Sequence, residues 1–446
     1  MKEKDSLFLI LITVVAALGG LLFGFDEAVI SGVTPFLQPY FKLTDIALGW
    51  TVSSLLIGCI IGVIACGKPG DLFGRRKILL VASLLFVVSA IGSALSTDFM
   101  MFITFRLMGG IAVGAVSMLS PMYISEIAPA GKRGALVSLN QLAIVTGDLV
   151  AYFSNYLLNS MGENNWRWML AVMAAPALLF FVFLLFVPES PRWLMQKNRR
   201  DESFKILKRI NGTAAATLEL DAIEHSLAIS ERPRYREVFS KKMRYMLWIG
   251  VLLAIFQQVT GINAIMYYAP LIFKDLGNSM NSALIQTAII GGVLFVFTLV
   301  AVRWIDRWGR KPLMIWGSIG MAVSLTMVTI AYFLNMLQGY FILFFILTFM
   351  ASFAASIGPV TWVMISEIFP NKIRSEAMSV AIVALWVANF VVTLVFPVIL
   401  NRMGGGFAFL IFDAMSVLLL LFVIFMLPET KGKSLEELEK IFIKRK

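Results

Sequence analysis

Long apolar runs separated by short polar connections dominate this chain. Twelve runs approach or exceed the length of a membrane span, and they are centred near Ala16, Leu56, Phe86, Ala112, Ala143, Leu178, Phe256, Gly292, Val323, Met350, Ala384 and Leu418. A helix crosses the hydrocarbon core with roughly 20 mostly apolar residues, and it satisfies its own backbone hydrogen bonds where lipid offers none. The pattern predicts an all-α membrane protein with twelve transmembrane helices.

Composition supports the same fold class. Of 446 residues, 59% are hydrophobic and 15% are charged, and the mean hydropathy is +0.84, well outside the mixture typical of soluble domains. Cys59 and Cys66 fall in one predicted span, so they predict no disulfide framework. His225 is the only histidine, which leaves no set of imidazoles for a metal site or a proton relay. We expect no cofactor.

The distribution of positive charge predicts the topology. A net charge of +11 could indicate nucleic-acid binding, but the positions of the Lys and Arg residues depend instead on the side of the membrane that each connection between the predicted spans faces. With a cytoplasmic amino terminus, the outer connections contain only Lys42, Arg167, Lys274 and Arg402, and Arg106 lies within a span. This is the positive-inside pattern. We therefore expect both termini in the cytoplasm and no nucleic-acid partner.

Three motifs occur twice, in the same order. GKPGDLFGRRK recurs as VRWIDRWGRKP, SEIAPAGKR as SEIFPNKIR, and PESPR as PETKG, each 235 to 241 residues later. Three unlike motifs at a nearly constant offset indicate two copies of one design. We predict a six-helix half at 1–187, a cytoplasmic linker with short amphipathic helices at 188–244, a second six-helix half at 245–427, and a cytoplasmic tail at 428–446.

Each repeated motif combines acids and bases at a predicted cytoplasmic helix end. One motif alone would indicate topogenic charge and helix capping. Repetition favours a further role, since such groups can pair in one conformation and separate in another. We predict a charge latch formed by Asp71, Arg75, Arg76, Glu126, Arg133, Asp306, Arg310, Glu367 and Arg374. A two-fold repeated bundle with a latch on one side suits a transporter that alternates access to a site near the membrane midplane.

The seventh predicted span contains many hydrogen-bonding groups. Its sequence, AIFQQVTGINAIMYYAP, includes Gln257, Gln258 and Asn263. In a continuous helix Gln257 and Gly261 would be neighbours, and the glycine would leave room beside the amide. Amides offer donors and acceptors together and so suit a hydroxylated ligand. The alternative is hydrogen bonding between helices of the bundle.

Eight motifs are spread over essentially the whole chain: GGLLFGFD, GDLFGRRK, PMYISEIAP, PESPRWL, FQQVTGIN, WIDRWGRKP, GPVTWVMISEIFP and PETKG. Taken together, they resemble the sugar porter family of the major facilitator superfamily, and within it the bacterial xylose–proton symporters and their relatives. The resemblance implies the major facilitator fold. It also implies sugar contacts at Gln141, Gln257, Gln258, Asn263 and Trp362, with pocket or gate positions at Tyr268, Gly358, Trp386 and Phe23. For Trp386 and Phe23, packing in the core or against lipid is the competing interpretation.

Asp26 and Arg106 are charged residues inside the first and fourth predicted spans. Such residues are expensive to leave unpaired in a membrane. The resemblance implies that Asp26 carries the proton and that Arg106 is its partner, because proton-coupled members have an acid and an arginine there. A change in their separation would change the proton affinity of the acid. A static buried ion pair is the alternative.

Four positions depart from the symporter pattern. Glu27 stands where a small hydroxyl residue is common, Asp148 stands where a glutamine is expected, and Leu294 and Leu385 replace amides. Asp148 could orient hydroxyl groups, carry a second proton, or select a substrate bearing an amine. We expect Glu27 to face water near the outer mouth. Asp413, in the last span, is expected to make a structural helix–helix contact.

The leading interpretation is a proton-coupled symporter for a monosaccharide of the pentose or hexose type. The pair of Asp26 and Arg106 disfavours a passive facilitator. The amide-rich seventh span disfavours a cation or drug antiporter, although Glu27 and Asp148 keep that alternative open. A transporter of a polyol or amino sugar and a sugar sensor that does not transport also remain alternatives. No arrangement of nucleophile, base or metal ligands indicates an enzyme.

The expected surroundings follow from the same features. We expect a monomer whose partners are the sugar, protons and the lipid bilayer. The short connections favour a bacterial inner membrane.

Overall fold

The computed structural model describes residues 3–129, 133–229, 238–240, 243–336, 340–369 and 373–431. Every regular element within these ranges is a helix. The first seven helices are α1 Glu3–Tyr40, α2 Asp45–Phe73, α3 Arg75–Leu95, α4 Phe99–Ile127, α5 Arg133–Leu158, α6 Asn165–Ala171 and α7 Ala174–Leu184.

Three shorter helices follow, and eight more complete the described chain. The short helices are α8 Pro191–Gln196, α9 Arg200–Asn211 and α10 Thr213–Ile229. The later helices are α11 Arg244–Val259, α12 Ile262–Asp275, α13 Met280–Trp308, α14 Arg310–Phe333, α15 Phe341–Ala354, α16 Ile357–Ile368, α17 Arg374–Met403 and α18 Gly405–Phe425.

Eleven helical segments of the described residues are long and apolar enough to cross a membrane. Three of these segments each combine two consecutive helices, namely α6 with α7, α11 with α12, and α15 with α16. The remaining predicted span, the fifth along the chain and centred near Ala143, corresponds to α5, a helix of 26 residues. The prediction of an all-α membrane protein with twelve transmembrane segments is confirmed.

The seventh span is broken where a continuous helix was expected. Gly261 has φ +87° and lies between the end of α11 and the start of α12. The expectation that Gln257 and Gly261 are neighbours within one helix is therefore wrong. A Cβ on Gly261 would also lie 2.3 Å from the ring of Phe412. Both the left-handed backbone and the close ring require glycine.

The predicted linker contains the short helices expected of it. In α9 and α10, Leu207, Ala216 and Leu220 form a buried cluster, which Phe204 and Ile223 cover. The other faces of both helices are largely exposed, so each helix is amphipathic.

The described residues fall into two compact units. The first comprises Met1–Val29, Ile57–Ser154 and Leu158–Arg232, and the second comprises Ile30–Leu56, Asn155–Leu157 and Pro233–Lys446. This division is based on contacts in space and not on order along the chain. It therefore groups the end of α1 and the start of α2 with the later helices. The predicted division at 188 and 245 is a division of the sequence repeat, and it stays a prediction.

Within the second unit, the start of α2 packs directly on α17. A Cβ on Gly49 would lie 2.1 Å from the carbonyl oxygen of Leu394, so the two backbones touch. Nearby, Asn401 donates to the carboxylate of Asp45 at 2.6 Å, and the rings of Trp50 and Phe390 meet edge to face at 6.1 Å.

Candidate functional site

The first repeated charge motif is a compact network within the first unit. Gly74, with φ +102°, separates α2 from α3 and places Arg75 at the start of α3. The buried Arg75 guanidinium lies 3.0 Å from the carboxylate of Asp71 and 3.1 Å from that of Glu126. It also donates to the carbonyl of Gly70 at 2.9 Å. One arginine therefore joins the end of α2 to the end of α4.

Glu189 and Ser190, which precede α8, complete this network. The Glu189 carboxylate accepts from the backbone N–H of Arg76 at 3.2 Å and of Ser190 at 2.9 Å, and the Ser190 hydroxyl donates to Glu126. Arg76 itself donates to the carbonyls of Leu184 and Leu185 at the end of α7. Burial raises the pKa of the Glu189 carboxyl above its usual range.

The second unit repeats this network with equivalent residues. Gly309, with φ +92°, precedes Arg310, whose guanidinium lies 2.9 Å from the carboxylate of Glu367. Glu429 accepts from the backbone N–H of Arg310 at 3.1 Å and of Lys311 at 3.0 Å. Thr430 donates to Glu367 at 2.6 Å, as Ser190 does to Glu126.

Three residues of the predicted latch are not placed by these contacts. The side chains of Arg133, Asp306 and Arg374 lie outside the described residues. Conversely, sequence reasoning did not assign Glu189 and Glu429 to the latch. The repeat of PESPR as PETKG contained the signal, because it places an acid at both positions.

The amides of the seventh span lie on both sides of the break between α11 and α12. Gln257 is 3% exposed, and its Nε2 donates to the backbone carbonyl of Gly358 at 3.0 Å. Its Oε1 is buried and has no hydrogen-bond partner among the described residues. Asn263 donates to the Oε1 of Gln258 at 2.8 Å. The buried oxygen of Gln257 can therefore accept a hydrogen bond from a ligand hydroxyl.

Polar contacts link α12 to α17 on the far side of the Gly261 break. The Tyr268 hydroxyl donates to the carbonyl of Thr393 at 3.1 Å, and Thr393 donates to Asn389 at 3.0 Å. The Asn389 amide lies 3.4 Å from the Tyr267 hydroxyl. Sequence reasoning missed Asn389 and Thr393, although their spacing of four in the apolar run WVANFVVT indicates one polar face.

The remaining predicted sugar contacts fall in both units. Trp386, buried at 3% exposure, precedes Asn389 by one turn of α17, and the half-buried Trp362 follows Gly358 by one turn of α16. Gln141 on α5 and Phe23 on α1 are half-buried residues of the first unit. Leu294 and Leu385, which replace the expected amides, are buried.

Asp26 and Arg106 form a buried ion pair within the first unit. The guanidinium of Arg106 lies 2.5 Å from the Asp26 carboxylate, and both side chains are 1% exposed. A Cβ on Gly109 would lie 2.8 Å from the second carboxylate oxygen of Asp26 and 2.5 Å from the Ser89 hydroxyl. That second oxygen has no hydrogen-bond partner among the described residues. The absence of a side chain at Gly109 leaves room for the pair.

Glu27 and Asp148 come together where α1 and α5 cross. A Cβ on Gly24 would lie 2.0 Å from the carbonyl oxygen of Ile144. On the opposite helix, a Cβ on Gly147 would lie 2.0 Å from the carbonyl oxygen of Leu21. The helices therefore touch through their backbones.

This crossing brings the two acids within electrostatic reach of each other. Glu27 is 8% exposed and Asp148 is 4% exposed. The expectation that Glu27 faces water does not hold in this structure.

Asp413 makes the structural contact expected of it, since it accepts from the Thr326 hydroxyl at 2.8 Å. Cys59 and Cys66 are buried and unbridged. Among the described residues, no group of three or more His, Cys, Asp or Glu side chains could hold a metal ion.

Comparisons with known proteins show what this chain is similar to. A family model described as "Sugar (and other) transporter" matches residues 12–442. The arabinose-proton symporter of Bacillus subtilis is 45% identical over 443 residues, which cover 98% of this chain and 96% of the relative. The D-xylose-proton symporter of Escherichia coli is 42% identical over 481 residues, covering 99% of this chain and 97% of the relative.

Solved structures agree with the sequence relatives. An inward-open structure of the Escherichia coli xylose transporter superposes with a TM-score of 0.87 at 42% identity, covering 97% of this chain and 99% of the other. The prediction of the major facilitator fold is confirmed, as is the prediction that the chain is not an enzyme. With a family match over nearly its whole length, the chain belongs to the sugar transporter family.

Proposed function

We propose that this protein takes up a monosaccharide of the pentose or hexose type by proton symport, through alternating access. The observation that carries this proposal is the buried Asp26–Arg106 pair, in a chain 45% identical to a protein named as an arabinose-proton symporter. A buried carboxylate next to one arginine can gain or lose a proton when their separation changes. A purely passive carrier has no need of such a pair.

The proposed sugar ligands are amides and aromatic rings. Gln257, Gln258 and Asn263 provide neutral donors and acceptors beside the break at Gly261, and the buried Gln257 Oε1 supports this assignment. Trp362 would offer an apolar ring face to the C–H side of a sugar. The resemblance adds Gln141, Phe23, Tyr268, Gly358 and Trp386 as further contact or gate residues.

The charge networks are proposed to act as the cytoplasmic latch. Arg75 with Glu126, and Arg310 with Glu367, each join helix ends within one unit. The Arg310–Glu367 pair is only partly buried, and ion pairs in such partly hydrated positions are weak enough to exchange partners, whereas the Arg75–Glu126 pair is buried. Their reciprocal arrangement in two repeated halves, 1–187 and 245–427, supports a latch that opens and closes during the transport cycle.

The proposed setting follows from the charge distribution. Both termini, the linker at 188–244 and the tail at 428–446 would lie in the cytoplasm, because the inner connections contain nearly all Lys and Arg. We place the protein in a bacterial inner membrane as a monomer, in keeping with the bacterial origin of its relatives.

Uptake into proteoliposomes tests the proposal. The purified protein is reconstituted and offered radiolabelled pentoses, hexoses, polyols and amino sugars, with and without an inward proton gradient. We expect one or more monosaccharides to accumulate above the external concentration only with the gradient. Equilibration without accumulation would identify a facilitator instead, sugar binding without uptake would identify a sensor, and gradient-driven export of cations would identify an antiporter.

A further inference from the structure

A groove opens on the exposed side of α13, α14 and α15 in the second unit. Its volume is about 520 Å³, within the range of about 300–1,000 Å³ that is typical of sites for small molecules. The lining of this α13–α15 groove includes Val293 and Phe297 on α13, Leu313 on α14, and Phe344 and Ala351 on α15. Because Phe344 is 61% exposed, the groove is accessible from the lipid around these membrane helices.

The hydroxyl groups in the α13–α15 groove already donate to backbone carbonyls. Thr348 donates to the carbonyl of Phe344 at 2.9 Å, and Ser352 donates to that of Thr348 at 2.8 Å. Ser356 donates to the carbonyl of Ser352 at 2.6 Å. The rest of the lining is mainly aromatic and aliphatic. A sugar would lose its hydrogen bonds to water here without replacement, whereas a hydrocarbon chain has none to lose.

The groove extends through about one half of the membrane thickness. Val293 lies near the middle of α13, and Trp308 is the last residue of this helix. The rise between them is about 22 Å at 1.5 Å per residue. One leaflet contributes about 15 Å to a hydrocarbon core that is about 30 Å thick. The groove therefore reaches from the middle of the core to the level of the lipid headgroups, which is the path of one acyl chain.

Three tryptophans line the groove toward the end of α13. Trp304 and Trp308 stack on each other, with ring centroids 5.2 Å apart and planes inclined by 6°, and Trp316 lines the groove from α14. All three side chains are exposed. Indole rings prefer the headgroup level of a bilayer, because they combine a large apolar surface with one polar N–H group. This end of the groove therefore lies at the membrane surface.

Two exposed arginines stand beside these tryptophans. Arg303 and Arg307 lie one turn apart on α13, and each directly precedes a tryptophan of the stack. The local charge is positive, since two arginines outweigh Asp306, whose side chain lies outside the described residues. A guanidinium group binds phosphate oxygens through paired hydrogen bonds, and basic residues between membrane helices attract anionic lipid headgroups.

We propose that the α13–α15 groove binds one anionic phospholipid. An acyl chain occupies the apolar groove from Val293 to the stacked indoles, and the phosphate group lies at Arg303 and Arg307. Shape and charge agree, because the apolar length ends where the two guanidinium groups begin. The proposal involves neither sugar nor protons, so it does not depend on the proposed transport function.

Native mass spectrometry of the purified full-length protein, titrated with phosphatidylglycerol, measures the affinity for the first bound lipid. The double variant Arg303→Gln with Arg307→Gln should bind it roughly 25-fold more weakly, at about 5-fold for each positive charge near the membrane surface. The double variant Lys274→Gln with Arg402→Gln is the matched control. It removes two exposed positive charges at the ends of α12 and α17 and should keep the wild-type affinity.

Filling the groove tests the place of the acyl chain. Ala351→Phe puts a ring into the groove and leaves both arginines in place, so we expect binding of phosphatidylglycerol to fall by a similar factor. Ala65→Phe, at an exposed position of α2 in the first unit, is the control and should bind as the wild type does. Phosphatidylcholine with the same acyl chains should bind the wild type more weakly, because its headgroup has no net charge.

Equal affinity of the wild type for the two lipids would overturn the proposal. Unchanged affinity for phosphatidylglycerol in Ala351→Phe, or in the arginine double variant, would also overturn it. Displacement of the lipid by soluble glycerol phosphate would identify a site for a free phosphate instead. A dimer that forms in the wild type and is lost in Ala351→Phe would identify a second copy of the chain as the occupant.

Tryptophan fluorescence provides a second measurement, which still decides if size-exclusion chromatography shows that the groove variants misfold. Bromine atoms on an acyl chain quench the tryptophans that they contact. Brominated phosphatidylglycerol should quench the wild type more than brominated phosphatidylcholine does. The triple variant Trp304→Phe, Trp308→Phe and Trp316→Phe should lose this difference, although seven of the ten tryptophans remain. Equal quenching of the wild type by both lipids, or an undiminished difference in the triple variant, would overturn the proposal.

Discussion

Gln257 and Gly358 connect two broken membrane spans. The side-chain amide of Gln257, near the end of α11, donates to the backbone carbonyl of Gly358, in the first turn of α16. One hydrogen bond therefore uses the donor side of the amide and leaves its buried oxygen available. The position of that oxygen depends on both helix breaks, since each determines where one partner lies.

Replacement of Gln257 by leucine should weaken sugar binding. The change removes the available acceptor and leaves the Gly358 carbonyl without its donor, which should cost about 1–3 kcal/mol, or roughly 5- to 150-fold in affinity. Binding of radiolabelled sugar to the purified variant measures this. Gln286→Leu is the matched control, because the buried Gln286 bonds only to Asn278 and Ser282 among the described residues. Equal affinities in all three proteins would remove Gln257 from the site.

Replacement of Asp26 by asparagine should separate coupling from binding. The amide can keep a hydrogen bond to Arg106 but cannot exchange a proton. We expect counterflow exchange of sugar to continue while accumulation driven by a proton gradient is lost, both measured in the same proteoliposomes. Asp413→Asn, which changes a buried aspartate bonded to Thr326, should leave accumulation intact. Undiminished accumulation in Asp26→Asn would rule out this aspartate as the proton carrier.

Sequence alone located the elements but not their interruptions. Hydropathy and the repeated motifs indicated the twelve spans, because span length and topogenic charge are local properties of the chain. The break at Gly261 was not predicted, since one glycine in an apolar run is compatible with a continuous helix. Glycine is needed at the break because the ring of Phe412, on α18, leaves no room for a side chain there.

The same reasoning applies to the acids. Asp26 and Arg106 were paired through resemblance, whereas the placement of the buried Glu27 and Asp148 near one helix crossing depends on the backbone contacts at Gly24 and Gly147. A helix crossing of this kind is a tertiary feature that no single span encodes.

Replacement of Gly261 by alanine should destabilise the fold. Alanine would have to adopt a strained positive φ at this position, and its methyl group would lie 2.3 Å from the Phe412 ring. We expect the free energy of unfolding to fall by about 1–3 kcal/mol. Thermal unfolding followed by tryptophan fluorescence measures the change. Gly292→Ala is the control, because a Cβ there meets nothing within 4 Å. If both variants unfold at the wild-type temperature, the left-handed break is not required.

Glu189 should make stability depend on pH. Burial raises the pKa of the Glu189 carboxyl in the folded protein. The stability that this group contributes is therefore fully present below the ordinary glutamate pKa of about 4.3, and it is lost as pH rises through the raised pKa. The wild type should therefore lose stability relative to Glu189→Gln as pH increases from about 4 to 7. Unfolding temperatures of both proteins across this range test the sign.

Glu202 provides a control of opposite sign for this experiment. A hydrogen bond from Arg199 lowers the pKa of the exposed Glu202 carboxyl, so its contribution is present above the ordinary value and is lost as pH falls. Glu202→Gln should therefore give a smaller difference from the wild type in the reverse direction, because solvent screens this pair. The same trend in both variants would contradict the assignment for Glu189.

Replacement of Gly49 by leucine should prevent the packing of α2 on α17. A Cβ at this position would lie 2.1 Å from the Leu394 carbonyl oxygen. Because the backbone fixes the position of the Cβ and the oxygen is itself a backbone atom, no rotamer change can relieve the contact. If these helix ends separate and rejoin during transport, the variant should bind sugar but transport it slowly.

A cysteine introduced at Asn401, whose side chain bonds Asp45 across the same interface, should react faster with a water-soluble thiol reagent in the Gly49→Leu background. Gly292→Leu, where the added side chain starts in open space, should change neither rate. Wild-type transport and wild-type reactivity in Gly49→Leu would show that the cycle does not require this contact.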